Sequence, residues 1–409
     1  MSENDAGVII VGAGHAGGTA AALLRQFGFA RPITLIGEEP IAPYQRPPLS
    51  KAWLKGEANA ESLMLKPKTF YADVGIELLL DTRVTALDRA TRTVRTADGR
   101  SLNYETLILA TGARARSLPI LGAELEGVMS LRSAADAEKL KQALHPGRRL
   151  AVVGGGYIGL EAAASARALG ADAVVIEREP RILARVACET LSTFFTDYHR
   201  VRGVDFELDA VVDCFLGDAG RVVGVRLGSG ETLDCDAVLV GIGAAANMEL
   251  AAEAGLDCAG GIVVDAHART SDPAIFAIGD VSHRPLALYN RMFRLESVAN
   301  ALEQARQAAC AIAGRPAPVT EVTWNWSDQY DLKYQFAGLP FDVDEIVLRG
   351  NPLDARFAIF HLQGDKIQAV EAVNAPAEFM GGRQLIAQRR PVSRSRLADM
   401  AVSMKEVAA

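Results

Sequence analysis

The chain has 409 residues, of which 49% are hydrophobic and 23% charged, and its formal net charge is −7. This length predicts two or three domains, and the composition excludes disorder as the main state. The negative charge and the absence of a long unbroken apolar run argue against a nucleic-acid-binding protein and against a membrane span.

The cysteines indicate a reduced, cytoplasmic protein without a disulfide framework or a metal site. None of the five forms a CxxC pair, so we expect mostly buried free thiols at Cys188, Cys214, Cys235, Cys258 and Cys310. The first five residues lack the basic and apolar regions of a secretory signal.

A dinucleotide-binding motif stands at the beginning of the chain. A short apolar strand predicted at 7–11 leads into Gly12, Gly14 and Gly17, the glycines of a GxGxxG turn. A helix and a second strand are expected next, and Glu38 follows them, where a carboxylate accepts the hydroxyls of an adenosine ribose. The turn and the helix N-terminus predict a pyrophosphate site.

The same arrangement occurs a second time. A single GxGxxG motif is weak evidence for dinucleotide binding, but two complete copies are specific evidence. A strand at 150–153 leads into Gly154, Gly156 and Gly159, and Glu177 ends the next strand. Because a carboxylate repels a 2′-phosphate, Glu177 favours NADH over NADPH at this second site.

Three cations beyond Glu177 leave that preference open. Arg178, Arg181 and Arg185 follow closely, and they can pair with the pyrophosphate or with solvent.

Two further turns favour FAD at the first site. One apolar strand is predicted to end in Ala110, Thr111 and Gly112, and another ends in Gly279 and Asp280. An aspartate in the second position can accept a hydrogen bond from a ribityl hydroxyl of the flavin.

The fold class predicted from this pattern is α/β, with two Rossmann-like dinucleotide-binding domains and a C-terminal α+β domain. The FAD domain is expected at 1–112 and 245–318, with the NAD domain inserted at 113–244. The C-terminal domain, 319–409, is expected to contain a hairpin and a helix, and to end after Pro391 in a loosely attached surface segment.

The sequence resembles, over essentially its whole length, the FAD- and NADH-dependent reductases of [2Fe–2S] ferredoxins of the putidaredoxin reductase type, which have a glutathione-reductase-like fold. The resemblance rests on five stretches in the expected order: Arg46-Pro47-Pro48-Leu49-Ser50-Lys51, Gly154 to Glu161, Thr270-Ser271-Asp272-Pro273 leading to Gly279-Asp280, Glu296-Ser297-Val298-Ala299-Asn300-Ala301, and Trp326-Ser327-Asp328-Gln329.

The resemblance implies FAD contacts at Ala16, Glu38, Arg46, Lys51, Val84, Arg132, Asp280 and Val298, with Val298 beginning a helix whose N-terminus faces the flavin pyrimidine edge. The remaining residues that we assign to cofactor binding are Tyr157, Ile158, Arg185, Gly243, Glu296 and Trp326.

Lys51 and Glu161 are the pair predicted beside the flavin N5, where a buried ion pair would orient the nicotinamide rather than transfer a proton. Trp326 is predicted beside the isoalloxazine, on the route by which electrons leave.

The electron acceptor must be a separate molecule, because no cysteine stands in the stretch Pro43–Lys51, where disulfide reductases and single-cysteine peroxidases carry theirs. An acidic ferredoxin would need a local basic face. The cations considered for it are Arg291, Arg294, Arg306, Arg389, Arg390, Arg394 and Arg396.

Three functions remain compatible with the sequence. The first is an NADH–ferredoxin reductase that feeds an oxygenase, and the second is a reductase of a small molecule such as a quinone or a radical. The third is a flavoprotein whose NADH-dependent change of shape regulates a partner, as in the more distantly similar apoptosis-inducing factor.

Overall fold

The computed structural model describes residues 6–67 and 69–408. The expectation about the N-terminal signal concerns Met1–Asp5 and lies outside the described residues.

The first third of the chain forms a parallel sheet and an antiparallel meander. Its helices and strands are β1 (Val8–Val11), α1 (His15–Gln26), β2 (Ile33–Ile36), α2 (Ala60–Leu63), α3 (Phe70–Asp73), β3 (Ile76–Leu79), β4 (Val84–Asp88), β5 (Thr93–Thr96), β6 (Ser101–Asn103), β7 (Thr106–Leu109) and β8 (Ala113–Ala115).

The central third repeats this plan. Its elements are β9 (Val128–Met129), α4 (Ala134–Ala143), β10 (Arg149–Val153), α5 (Tyr157–Ala168), β11 (Asp172–Ile176), α6 (Glu189–Arg200), β12 (Val204–Glu207), β13 (Val212–Asp218), β14 (Arg221–Leu227), β15 (Thr232–Asp234), β16 (Ala237–Val240) and β17 (Ala244–Ala246).

The chain then returns to the first sheet and finishes in a separate antiparallel sheet. The last elements are α7 (Glu249–Glu253), β18 (Ile262–Val263), β19 (Ile275–Ala277), β20 (Ser282–Leu286), β21 (Arg291–Phe293), α8 (Val298–Ile312), β22 (Trp324–Gln329), β23 (Leu332–Gly338), β24 (Glu345–Asn351), β25 (Arg356–Gln363), β26 (Lys366–Val373), α9 (Pro376–Gln388) and α10 (Arg394–Ala398).

The duplication seen in the two glycine motifs extends to the topology of both sheets. The first sheet has the order β3-β2-β1-β7-β19 and the second has the order β12-β11-β10-β16-β9, with all neighbours parallel. A three-stranded antiparallel meander precedes the fourth strand in each copy, β4-β5-β6 in the first and β13-β14-β15 in the second. The α/β fold class is confirmed.

Both parallel sheets are buried on their two faces, which explains the continuous apolar runs in their central strands. Val8 and Ile10 of β1 belong to one hydrophobic cluster, and Ile9 belongs to another on the opposite face. The β8–β17 pair lies beside the two predicted junctions between the FAD and NAD segments.

The C-terminal sheet separates two environments. Its order is β22-β23-β26-β25-β24, and α9 and α10 pack on one face. The other face contributes Tyr334, Phe357 and Ile359 to the same cluster as Phe195 of α6. This sheet is therefore held directly against the predicted NAD-binding segment.

The segment after Pro391 is packed, and the expectation of a loose surface segment is wrong. Val392, Leu397 and Val407 are buried in the hydrophobic cluster of the C-terminal sheet. The buried Arg349 of β24 donates a hydrogen bond to a backbone carbonyl oxygen of this segment.

No helix in the described part of the chain combines the length and the apolar character that crossing a bilayer requires.

Replacing Arg349 by Met should destabilise the protein strongly. The guanidinium is 3% exposed, pairs with Glu378, and donates to the carbonyl oxygens of Leu397, Asp399 and Val402. Leaving these groups buried without partners costs about 3–5 kcal/mol. Urea unfolding should show this loss, and limited proteolysis should cut the segment after Pro391 first.

Arg356→Met is the matched control, because Arg356 lies exposed at the start of the neighbouring strand β25. Equal unfolding midpoints for the two variants would contradict the role given to Arg349.

Candidate functional site

The first glycine turn has the shape of a phosphate cradle. Gly12 has a φ of +115°, and a Cβ there would meet the Ala110 carbonyl oxygen at 2.1 Å. A Cβ at Gly17 would meet the Gly12 carbonyl oxygen at 2.0 Å, so the helix lies directly on the turn. A Cβ at Gly14 would meet nothing within 4 Å, and α1 has no side-chain N-cap. An anion therefore fits on the open side of the turn.

The second turn repeats this geometry. Gly154 has a φ of +107°, and a Cβ at Gly159 would meet its carbonyl oxygen at 2.3 Å. Gly156 again faces open space at the uncapped N-terminus of α5. The first two residues of α5 differ in exposure. Ile158 is 45% exposed, whereas the Tyr157 ring packs against Tyr334.

Glu177, predicted to bind the ribose, holds the backbone of the second turn. One carboxylate oxygen accepts the backbone N–H of Gly155 at 2.7 Å, and the other accepts that of Glu179 at 3.0 Å. These two backbone contacts are not among the features predicted from the sequence, in which the carboxylate is assigned to the ligand alone.

The three arginines after Glu177 have different surroundings. Arg181 donates to the backbone oxygens of Ala184 and Ala187 and to Ser192, so it braces its own loop. Arg178 is exposed and pairs with Glu179.

Arg185 is also exposed, and its guanidinium lies 3.8 Å from the Cβ position of Gly243. These two predicted NAD-binding residues are thus neighbours, and their contact with NAD stays a prediction.

Charged side chains gather beside the first turn. Arg132 pairs with Asp280 at 2.8 Å, which brings together two residues predicted to contact FAD. Arg46 pairs with Glu39 at 2.7 Å and donates to the Arg132 carbonyl oxygen. Burial, with a further effect of Arg46 and Arg132, lowers the pKa of His15 to about 4, against the opposing effect of Asp280.

His15 is therefore neutral at pH 7, in the first turn of α1 and beside two guanidinium groups. His15 is not among the site residues predicted from the sequence, although its place inside the GxGxxG motif is a signal.

The remaining residues predicted to contact FAD lie around the same sheet edge and around α8. Glu38 is exposed beyond β2, 3.6 Å from Arg83, the residue before Val84. Thr111 donates to the Asn247 carbonyl oxygen, and Gly112 follows with a φ of +65°.

The segment around the start of α8 is fixed by its own polar contacts. Val298 begins α8, whose N-cap is Ser297, and Glu296 pairs with Arg294. The Gly279 N–H donates to Gln304 of the same helix.

The predicted ion pair forms. Lys51 Nζ lies 2.6 Å from Glu161 Oε2, and Glu161 is 3% exposed on the first turns of α5. Ser50 donates to the same oxygen, and Ser327 of β22 donates to Oε1 at 2.6 Å. The two serines were not singled out in the sequence, although each adjoins a residue that was.

Trp326 occupies the face of β22 opposite to Ser327, because successive residues of a strand alternate. Its ring lies 5.6 Å from that of Trp324. No hydrogen bond or ring contact joins Trp326 to Lys51 or Glu161 within residues 6–67 and 69–408. Its place beside the flavin stays a prediction.

The cations considered for docking separate into paired and unpaired groups. Arg291 pairs with Asp342, Arg294 with Glu296, and Arg394 with Glu345. Arg389 is half-buried and donates to Gln368. Arg306, Arg390 and Arg396 are exposed and have no acidic partner in the described part of the chain.

All five cysteines are free thiols. The Cys188 sulfur lies close to Glu371 and His361. It lies, with one carboxylate oxygen and one ring nitrogen, in a group of three atoms that are all within 4.8 Å of one another. Glu371 already accepts hydrogen bonds from His361 and from Tyr334, at 2.8 and 3.0 Å. Burial, followed by the charge of Glu371, raises the pKa of Cys188 to about 12, so this thiol is protonated at neutral pH.

The whole described chain is similar to known flavoprotein reductases. A family model described as pyridine nucleotide-disulphide oxidoreductase matches residues 6–305, and one described as reductase C-terminal matches residues 324–408. The probable ferredoxin reductase CtmF of Castellaniella defragrans is 52% identical, with 100% of both chains covered. Putidaredoxin reductase CamA of Pseudomonas putida is 41% identical, with 100% of this chain and 98% of the relative covered.

The fold is also similar to that of putidaredoxin reductase in the crystal structure of its covalent complex with putidaredoxin. The TM-score is 0.96 at 41% identity, with 99% of this chain and 98% of that chain covered. FAD and NAD(H) are the cofactors of such enzymes, and both uncapped glycine turns fit them. The chain therefore belongs to the pyridine nucleotide-disulphide oxidoreductase family, among its FAD-dependent ferredoxin reductases of the putidaredoxin reductase type.

Proposed function

We propose that this enzyme takes hydride from NADH onto FAD and delivers single electrons to an acidic [2Fe–2S] ferredoxin in the cytoplasm. The ferredoxin would feed an oxygenase, such as a cytochrome P450 or a ring-hydroxylating dioxygenase. The observation that carries the proposal is the buried Lys51–Glu161 pair at the start of the helix behind the second glycine turn.

The residues around this pair have three tasks. The turn at Gly12–Gly17, with Arg132 and Asp280, holds FAD, and the turn at Gly154–Gly159 holds NADH. Lys51 and Glu161 orient the nicotinamide against the flavin. When bound, FAD accepts two electrons as hydride and releases them one at a time.

The thiols support an external acceptor. Cys214, Cys235 and Cys310 are buried, Cys188 is protonated beside Glu371, and burial also raises the pKa of the half-buried Cys258. A thiolate is the species that forms mixed disulfides, so thiols that are buried or held protonated are poorly suited to disulfide chemistry.

The decisive experiment compares acceptors. We expect a yellow protein whose flavin bleaches when NADH is added without air, and fast cytochrome c reduction only when a [2Fe–2S] ferredoxin is present. A panel of ferredoxins, a quinone and no acceptor should be assayed at equal NADH concentration.

Fast turnover with the quinone in the absence of ferredoxin would contradict the proposal and indicate a reductase of small molecules. A long-lived complex of reduced protein and NAD⁺ with negligible turnover on every acceptor would indicate a regulatory flavoprotein instead.

Replacing Glu177 by Ala should raise KM for NADH by roughly tenfold or more. The substitution removes an acceptor for the ribose hydroxyls and also frees the Gly155 N–H, and a charge-assisted hydrogen bond contributes about 1.5–3 kcal/mol. The limiting rate of flavin reduction should change little, because this contact is remote from the reacting carbon.

Glu179→Ala is the matched control, since its carboxylate pairs only with exposed Arg178 in the described structure. The prediction is wrong if wild-type enzyme prefers NADPH, or if both variants raise KM equally.

Replacing Arg306 by Glu should raise KM for ferredoxin and leave flavin reduction by NADH almost unchanged. Arg306 is exposed on α8, whose N-terminus is predicted to face the flavin, and electron-transfer encounters depend on electrostatic steering. The wild-type ferredoxin rate should also fall with salt, because the Debye length is about 8 Å at physiological ionic strength.

Arg95→Glu, at the exposed position of strand β5, makes the same change in net charge and serves as the control. Stopped-flow flavin reduction and steady-state ferredoxin reduction separate the two half-reactions. An unchanged KM in Arg306→Glu would place the docking site elsewhere.

A further inference from the structure

A continuous chain of side-chain hydrogen bonds runs from Glu161 away from the predicted cofactor site. Ser327 Oγ lies 2.6 Å from Glu161 Oε1, and Gln329 Nε2 lies 3.0 Å from Ser327 Oγ. His199 Nε2 of α6 lies 2.7 Å from Gln329 Oε1, and the Tyr330 hydroxyl lies 3.1 Å from His199 Nδ1. Glu161, Ser327, Gln329 and His199 are all buried, at 3%, 1%, 1% and 0% exposure.

The charge of Glu161 fixes the direction of every bond in this chain. A carboxylate has no hydrogen to donate, so the single hydroxyl proton of Ser327 must point at Glu161. The serine oxygen must then accept from the amide of Gln329, which turns the amide oxygen towards His199. His199 must therefore carry its proton on Nε2.

The surroundings of His199 agree with that assignment. Burial lowers its pKa to about 4, partly offset by the hydrogen bond that the ring donates to Gln329 and reinforced by Arg202, so the ring is neutral and has one N–H at pH 7. The other nitrogen, Nδ1, is left to accept from the Tyr330 hydroxyl.

We propose that Ser327, Gln329 and His199 are positioning residues for hydride transfer, forming a one-way hydrogen-bond chain that holds the Glu161 carboxylate and, through it, Lys51. This inference rests on the proposed function, because it assigns a purpose to the orientation of that ion pair. Each residue acts through the next, and only Lys51 and Glu161 are placed at the cofactors.

The direction of these hydrogen bonds should reverse when Glu161 is replaced by Gln. Lys51 and Ser50 both donate to the Oε2 position, so the new amide oxygen must lie there and the new NH₂ must face Ser327. Ser327 would then donate to Gln329, the amide of Gln329 would turn over, and its NH₂ would donate to His199 Nε2. The histidine proton would move to Nδ1.

The tautomer of His199 is measurable by ¹⁵N NMR of histidine-labelled FAD-bound protein, in which only six histidines contribute. We expect the Nε2–H form in wild type and the Nδ1–H form in Glu161→Gln, with His199→Gln used for assignment. The same tautomer in both proteins, or Nδ1–H in wild type, overturns the proposal.

A kinetic experiment tests the positioning role independently of that spectrum. Gln329→Glu keeps the shape of the side chain but removes the donor to Ser327 and offers a second acceptor for its proton. The limiting rate of flavin reduction by NADH should fall roughly tenfold, with the Kd for NADH nearly unchanged, since a misplacement of about 1 Å costs on the order of 100-fold. Gln329→Leu should behave in the same way.

Thr196→Val is the matched control, because Thr196 is buried on α6 and its hydroxyl bonds only to the Ser192 carbonyl oxygen of the same helix. It should reduce its flavin at the wild-type rate. Wild-type rates in both Gln329 variants, measured without ferredoxin, overturn the inference. A wild-type protein that NADH does not reduce would instead contradict the proposed function.

Discussion

One buried carboxylate ties the molecule together. Glu161 lies at the start of α5 and accepts hydrogen bonds from Lys51 and Ser50 of the first segment and from Ser327 of the C-terminal sheet. A carboxylate in a dry interior must be paired, and removing one partner of such a pair costs about 3–5 kcal/mol. The three segments therefore cannot move apart at this point without a large penalty, and the predicted FAD and NAD sites are fixed relative to each other.

A second buried carboxylate supports the same helix from the same sheet. Glu371 of β26 accepts from Tyr334 and His361, and Tyr334 packs against the ring of Tyr157, the first residue of α5. Cys188, the N-cap of α6, completes this group. Both polar groups occupy the face of the C-terminal sheet that covers α5 and α6, so this sheet acts as the support of the second glycine turn.

The sequence predicted what depends on local geometry and missed what depends on distant partners. The glycine turns could be predicted from the sequence because positive φ, as at Gly12, and close helix packing, as at Gly159, require glycine. The partnership of Glu161 with Ser327 joins residues far apart in the chain, and no spacing rule announces it. The packing of the C-terminal segment was not predicted for the same reason, since Arg349, which holds it, lies on β24 and is distant in the sequence. The roles given to individual cofactor-binding residues and the domain boundaries remain predictions.

The distribution of paired and unpaired arginines bears on how an acidic partner would bind. Several cations that stand out in the sequence are neutralised within the chain, Arg291 by Asp342 and Arg394 by Glu345. An attraction that depends on a few free guanidinium groups, such as that of Arg306, is short in range and is opposed by the net charge of −7. Weak attraction suits an electron carrier that must leave after each electron, because tight binding would make its release limit turnover. We therefore expect docking to be selective mainly through the rate of encounter, so that charge reversal near α8 affects the partner's arrival more than the chemistry at the flavin.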